Sequence, residues 1–257
     1  MGTIVNKETT LDTITKLAKD QFVDSSSLPH TAQLSALLQL SSPALPIGGF
    51  SYSQGLEAAV EANLIKDEAT AFEWISQQLR LVMAQCEAPV WDLLFDNWAS
   101  NNWDGVKYWN DWFHASRETQ EIRQETEQMG WSLARLAHDL NWGDAQLRSK
   151  LLEHRTLAFP TTHSFSAHAL SVDKDSGLIA YLFSWVENQT AAAIKSVPLG
   201  QVAGQRILNR MRGLIPAVVE EAHKRAACDP PKIHTLAPQF AILSSRHETQ
   251  YSRLFRS

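Results

Sequence analysis

The sequence predicts an all-α protein: a single-domain multi-helix bundle followed by an extended C-terminal tail. Three observations carry that expectation. Apolar residues recur at three- and four-residue steps along most of the chain. Capping residues and prolines stand where those runs begin and end. No run of useful length alternates apolar with polar residues, as a half-buried strand would. The 257 residues are enough for one sizeable core.

Residues 1–30 read as a flexible N-terminal arm, ending in the linker-like DSSSLPH, with room for an amphipathic turn around Leu11 to Lys19. The helical domain is expected over residues 31–228. Asp67 is placed to cap a helix whose residues Phe72, Ile75, Leu79, Val82 and Met83 share one face. Pro89 then reads either as a kink or as the first residue of a new helix carrying Trp91, Leu94, Phe95 and Trp98. ASNNWDG breaks the chain before a short aromatic segment around Trp109 and Trp112. From about Arg117 to Leu140 the stripe Ile122, Thr126, Met129, Leu133, Leu136 and Leu140 predicts a long amphipathic helix.

Asn141 to Asp144 ends that helix and caps the next, which runs to about His154. A small-residue helix follows from Thr162 to Val172, then a very apolar one from about Gly177, expected to be central. Pro198 suits the first turn of a last long helix with Gly204, Ile207, Leu208, Met211, Ile215 and Val218 inside. Prolines 230, 231 and 238 are expected to stop regular structure, leaving residues 229–257 as the extended tail.

Composition narrows the function. A net charge of -5 gives no electrostatic footprint for nucleic acid. Cys86 and Cys228 are far apart and lack zinc or disulfide-framework spacing, which suits a reducing cytoplasm. The N-terminus has neither the cationic start nor the apolar core of a signal peptide, and Glu187-Asn188-Gln189 cuts the most apolar run short of the roughly 20 residues a membrane span needs. Nine tryptophans and ten phenylalanines exceed what a core this size requires and leave aromatic surface for partners.

The most informative stretch is Ser42 to Glu57, SPALPIGGFSYSQGLE, where two prolines fix φ, two adjacent glycines free it and a helix follows. Such a turn presents Phe50 and Tyr52 at a defined place. Gly49 to Ser53 superficially matches a nucleophile elbow, but Ser53 replaces the second glycine and no strand precedes it, so Ser51 or Ser53 reads better as a helix cap. There is no phosphate-binding loop of the G-x-x-x-x-G-K-[ST] type.

LLQLSSPALPIGGFSYSQGLE resembles the opening signature of the UreF family of urease accessory proteins. SRETQEIRQETEQMG, YLFSWVENQTAAAIKSVPLGQVAGQRIL and the terminal RHETQYSRLFRS fit that family in the same order. The resemblance implies a non-catalytic, homodimeric helical scaffold. It would bind UreD/UreH and the GTPase UreG and support GTP-dependent nickel insertion into apo-urease. Nickel and GTP would be handled by the complex, with no cofactor bound by this chain. A GTPase regulator in its own right, or a direct nickel carrier, are the alternatives.

The resemblance also assigns residues. Pro43, Pro46, Gly48, Phe50, Ser51, Tyr52, Ser53, Gly55 and Glu57 form the opening motif; Arg117, Glu118, Thr119 and Gly130 the second; Pro198, Gly200 and Gln201 the third. In the tail, Arg246, His247, Glu248, Tyr251, Ser252, Arg253, Leu254, Phe255 and Arg256 are the expected partner-binding residues, ordering on docking to UreD/UreH. Their mixture of Arg, Tyr and apolar side chains suits an interface hot spot.

Three constellations stay open. The charged face after Arg117 reads either as a solvated face with Arg117–Glu121 and Arg123–Glu127 pairs at i,i+4, or as residues ordering a helix contact. Gly200 and Gly204 fit either internal helix packing or a dimer seam. His223, Cys228 and His234 are weak candidates for a metal site, should the tail fold back, and nickel accepts such ligands.

Overall fold

The computed structural model describes residues 30–235 and 237–257. The expected N-terminal arm therefore lies outside the described residues, apart from His30. Among the described residues there is no strand, and the protein is all-α.

Helix α1 (His30–Leu40) leads into the proline–glycine turn, which closes in one turn of 3-10 helix at Gly49–Ser51 before the short α2 (Leu56–Glu61). Gly48 and Gly55 both hold left-handed backbone, with φ of 80° and 76°, where a side chain would be strained. Asp67 caps α3 (Glu68–Gln78) through a reciprocal box with Thr70.

The helix then continues without a break through a π-helical stretch, Leu79–Glu87, into α4 (Ala88–Ala99). Pro89 sits in the first turn of α4, at the change from π to α register. The wider π turn brings Cys86 and Glu87 inward together, a register that a 3.6-residue period does not foresee.

The aromatic segment forms a full helix, α5 (Trp103–Ala115), capped by Asn102. Thr119 caps α6 (Gln120–Asp139), so Arg117 and Glu118 precede the long helix instead of opening it. Helices α7 (Ala145–Leu152), α8 (Phe159–Ala169) and α9 (Lys174–Ser196) follow. Helix α9 runs through the middle, touching α1, α2, α3, α4 and α8. Its outer side is not apolar throughout, since Ile179 is exposed and Glu187 half-buried.

The expected last long helix is two helices, α10 (Gln201–Arg212) and α11 (Ile215–Ala226). Pro216, in the first turn of α11, lacks the N–H an unbroken helix would use. Pro198 lies before α10, whose cap is Gly200. Trp91 and Trp98 are fully buried on α4, and their indole N–H groups donate to His163 Nδ1 and the Thr161 carbonyl, each at 3.1 Å.

The tail departs most from expectation. Pro238 starts a helix, α12 (Pro238–His247), instead of preventing one, because a first-turn proline gives up an N–H that has no helical partner. The last ten residues then run back across the body.

Candidate functional site

The tail ends in a seat built from α2, the N-terminal half of α6 and the proline–glycine turn. Three buried carboxylates define it: Glu57 on α2, and Glu121 and Glu125 one turn apart on α6. The positive φ of Gly55 turns the chain so that α2 starts with Glu57 pointing at the tail, and Gly55 itself approaches the backbone of α12 at Ser244.

His247, fully buried, lies between two of these carboxylates, with Nδ1 2.8 Å from Glu121 Oε2 and Nε2 3.2 Å from Glu57 Oε2. Arg253 donates to the other oxygen of Glu121 at 2.6 Å. Glu57 accepts from the backbone N–H groups of Leu254 and Phe255 at 2.7 and 3.0 Å. Glu248 accepts from the N–H groups of Gln120 and Glu121, completing the N-terminal cap of α6. Thr119 Oγ1 meets Ser244 Oγ at 2.9 Å.

Main-chain pairing finishes the seat. The Ser53 N–H donates to the Ser257 carbonyl, and the Arg256 N–H to the Ser51 carbonyl, each at 2.8 Å. Ser53 Oγ also donates to the Ser257 carbonyl, so the expected helix-cap role passes largely to tail binding, and Gly55 is the residue that caps α2. The Ser257 hydroxyl donates to Glu125 at 3.0 Å, and Gln54 donates to the same carboxyl at 2.8 Å. Burial pushes the Glu125 carboxyl up to about 8, despite those two hydrogen bonds, which pull it down.

The expected partner-binding residues therefore divide. His247 and Phe255 point inward; Arg246, Tyr251, Ser252, Leu254 and Arg256 face solvent. The two residues expected to be displayed by the turn divide likewise. Tyr52 is buried with its hydroxyl on Gln128 at 2.6 Å, while Phe50 is 64% exposed. Phe50, Ser51, Lys195, Leu254, Phe255 and Arg256 line one surface groove, so the turn and the tail make a single aromatic and basic face.

The second motif lies largely inside. Arg117 and Glu87 are buried together, and neither expected i,i+4 pair forms: Glu121 serves the tail, Glu127 meets His114, and Arg123 donates to the Arg117 carbonyl. Glu118 is exposed. Gly130 lets α6 touch the chain before α8, since a Cβ there would fall 2.2 Å from the Leu157 carbonyl oxygen. Gly204 packs against Ile194 within the protein, whereas Gly200 has open space around it; Gln201 is exposed.

Beside the seat lies a cavity of about 250 Å³, walled by Leu45, Ile47, Phe113, Met129, Phe159 and Trp185. Glu87, Arg117, Glu125 and Tyr181 reach it. Glu87 accepts from Arg117 and from the Tyr181 hydroxyl, so its charge is already matched.

The three weak metal candidates do not come together. The His223 ring lies between Asp92 and Asp175, the Cys228 thiol donates to the Lys224 carbonyl, and the His234 backbone N–H donates to the Gln85 carbonyl. Among the described residues no three His, Cys, Asp or Glu side chains are grouped to hold a metal ion. Likewise no described helix is long and apolar enough to cross a membrane.

The UreF family model matches residues 65–212, more than half of the chain. A urease accessory protein UreF of Bordetella parapertussis is 57% identical over 220 residues, covering 86% of this chain and 100% of the relative. This chain belongs to the UreF family. A urease accessory protein UreF of Ralstonia pickettii is 55% identical over 230 residues, covering 90% of this chain and all of that one. A bifunctional urease accessory protein UreEF of Bordetella bronchiseptica is 58% identical over 225 residues, and there the chain spans about half of the relative, 52%.

As a UreF protein the chain is an accessory protein and not an enzyme. The stretch matched by the family model holds α3 to α10, the helical body. Of the seat, α6 lies within that stretch, while the turn, α2 and the seated tail lie on either side of it. From sequence the turn and the tail are separate motifs, and neither motif marks Glu121, Glu125 and Gln54 as the residues that hold the tail. The available signal was a pair of carboxylates one turn apart, flanked on the same helix face by the apolar stripe residues Ile122 and Thr126.

Proposed function

We propose that this UreF protein is a cytoplasmic, homodimeric scaffold that binds UreD/UreH and the GTPase UreG and supports GTP-dependent nickel delivery to apo-urease. The observation that carries this reading is the face shared by the turn and the tail. Phe50 and Leu254 stand out from it with Lys195 and Arg256 alongside, and Tyr251 and Arg246 of the same tail are exposed as well, a composition enriched at binding hot spots. Their backbone is held from behind by the seat, so docking does not require a loose segment to be ordered first.

This revises the expectation that the tail orders on docking. The inward residues hold the segment, and the outward residues are the ones offered to UreD/UreH. The direct-carrier alternative finds no support among the described residues, where no three His, Cys, Asp or Glu side chains are grouped to hold a metal ion.

Co-purification tests the reading. Full-length protein should retain UreD/UreH and UreG, and deletion of residues 246–257 should release UreD/UreH and abolish urease activation while helical circular dichroism persists. Undiminished retention of UreD/UreH by the truncated chain would refute it.

A further inference from the structure

The seat holds more negative than positive charge. Glu57, Glu121 and Glu125 converge on residues 247–257, and only His247 and Arg253 answer them from the tail. The other nearby cation, Lys195 on α9, is exposed over the Phe255 ring at 5.5 Å and pairs with none of the three carboxylates. Glu248 adds a carboxylate at the start of α6, Arg246 is exposed, and Arg256 reaches Gln128. Behind Glu125 stand Glu87 and Arg117, already paired with each other.

Geometry then fixes where protons must sit. A carboxylate oxygen accepts and cannot donate, so a ring with a carboxylate on each nitrogen makes both bonds only as the doubly protonated imidazolium. Glu125 is buried against the cavity and receives only neutral donors, the Gln54 amide and the Ser257 hydroxyl. A buried carboxyl without a cation is favoured in its neutral form.

We propose that residues 247–257 are a proton-held latch, closed over Glu57, Glu121 and Glu125 while Glu125 carries its proton and opened progressively as pH rises. Ionisation of Glu125 places a third buried negative charge beside Glu57 and Glu121. Opening exposes Glu125 to water, so it releases that proton, and a proton-releasing step becomes more favourable at higher pH.

As regulation of the docking face, the latch rests on the reading above, because opening would dismantle the face that displays Tyr251 and Leu254. Its own test needs no partner. Amide hydrogen exchange is measured on the full chain across residues 251–257, from about pH 6 to about pH 9, each rate divided by that of an unstructured peptide of the same sequence. The N–H groups of Leu254, Phe255 and Arg256 report directly, since each is bonded in the closed seat.

Protection of these tail amides in the unchanged protein should fall at least about tenfold across that range, and stay below that of the α4 and α9 amides at every pH. Glu125→Gln, which keeps a neutral side chain at every pH, should flatten the decline and leave the tail more protected at the alkaline end. His247→Gln, which loses the bridge between Glu57 and Glu121, should lower protection already at the acid end. Flat protection in the unchanged protein, or an unaltered profile in Glu125→Gln, would overturn the latch while leaving partner docking to its own capture experiment. Should His247→Gln fail to fold, Glu125→Gln decides alone.

Discussion

Arg117 and Glu87 form an ion pair inside the protein, with Arg117 Nη1 donating to Glu87 Oε1 at 2.9 Å and the Phe113 ring 4.0 Å from the guanidinium carbon. Tyr181 donates to the second Glu87 oxygen at 2.8 Å, so the carboxylate is satisfied on both sides. Replacing Arg117 by Ala strands that charge beside the cavity and should cost about 3–5 kcal/mol, read from urea unfolding. Arg117→Lys should recover only part of this, because an ammonium cannot reproduce the planar stack on Phe113.

Gly130 and Gly200 belong to the same set of motif residues but should respond oppositely to alanine. A Cβ at Gly130 meets the backbone of Leu157 and Ala158, which cannot yield as a flexible side chain would. Gly130→Ala should therefore destabilise by at least about 1–3 kcal/mol. Gly200 has nothing within 4 Å, so Gly200→Ala should change the unfolding midpoint little. Thermal unfolding of the two variants side by side checks the contrast.

Glu125 should make global stability depend on pH. Its carboxyl is raised from 4.5 in the unfolded chain to about 8 in the folded one. Between those values the folded state holds a proton that the unfolded state has lost, so stability falls as pH rises through the window and levels off above it. The slope from this one site is at most about 1.4 kcal/mol per pH unit. Glu125→Gln should remove it, so that the variant gains on the unchanged protein as pH is raised from about 5 to about 8, measured by urea midpoints.

Asp67 accepts from the Thr70 N–H at 2.9 Å, and Thr70 Oγ1 accepts in turn from the Asp67 N–H at 3.1 Å. Asp67→Ala removes one half of this box and should cost about 1 kcal/mol, with no effect on the tail, which lies elsewhere.

Helix order was legible in the sequence where local physics decides it. The Asp67 cap, the stripe of α6 and the turn after Asn141 all follow from side chains within a few residues of one another. The π stretch was not legible, since its register answers to Glu87 meeting Arg117 and Tyr181 from distant parts of the chain. Nor was the break at Leu214 taken up, although Pro216 signals it locally. The tail shows the limit best. His247 and Phe255 look like exposed polar and apolar residues of a loose end until Glu57, some 190 residues earlier, is placed beside them.

The central claim is that the seated tail and the turn present one docking face. Its most direct test is the affinity of the full chain for UreD/UreH when outward residues alone are changed, in a Tyr251→Ser, Leu254→Ser double variant whose tail amides stay protected. The account predicts binding weaker by at least about tenfold, equivalent to about 1.4 kcal/mol. Unchanged affinity in that variant would contradict it.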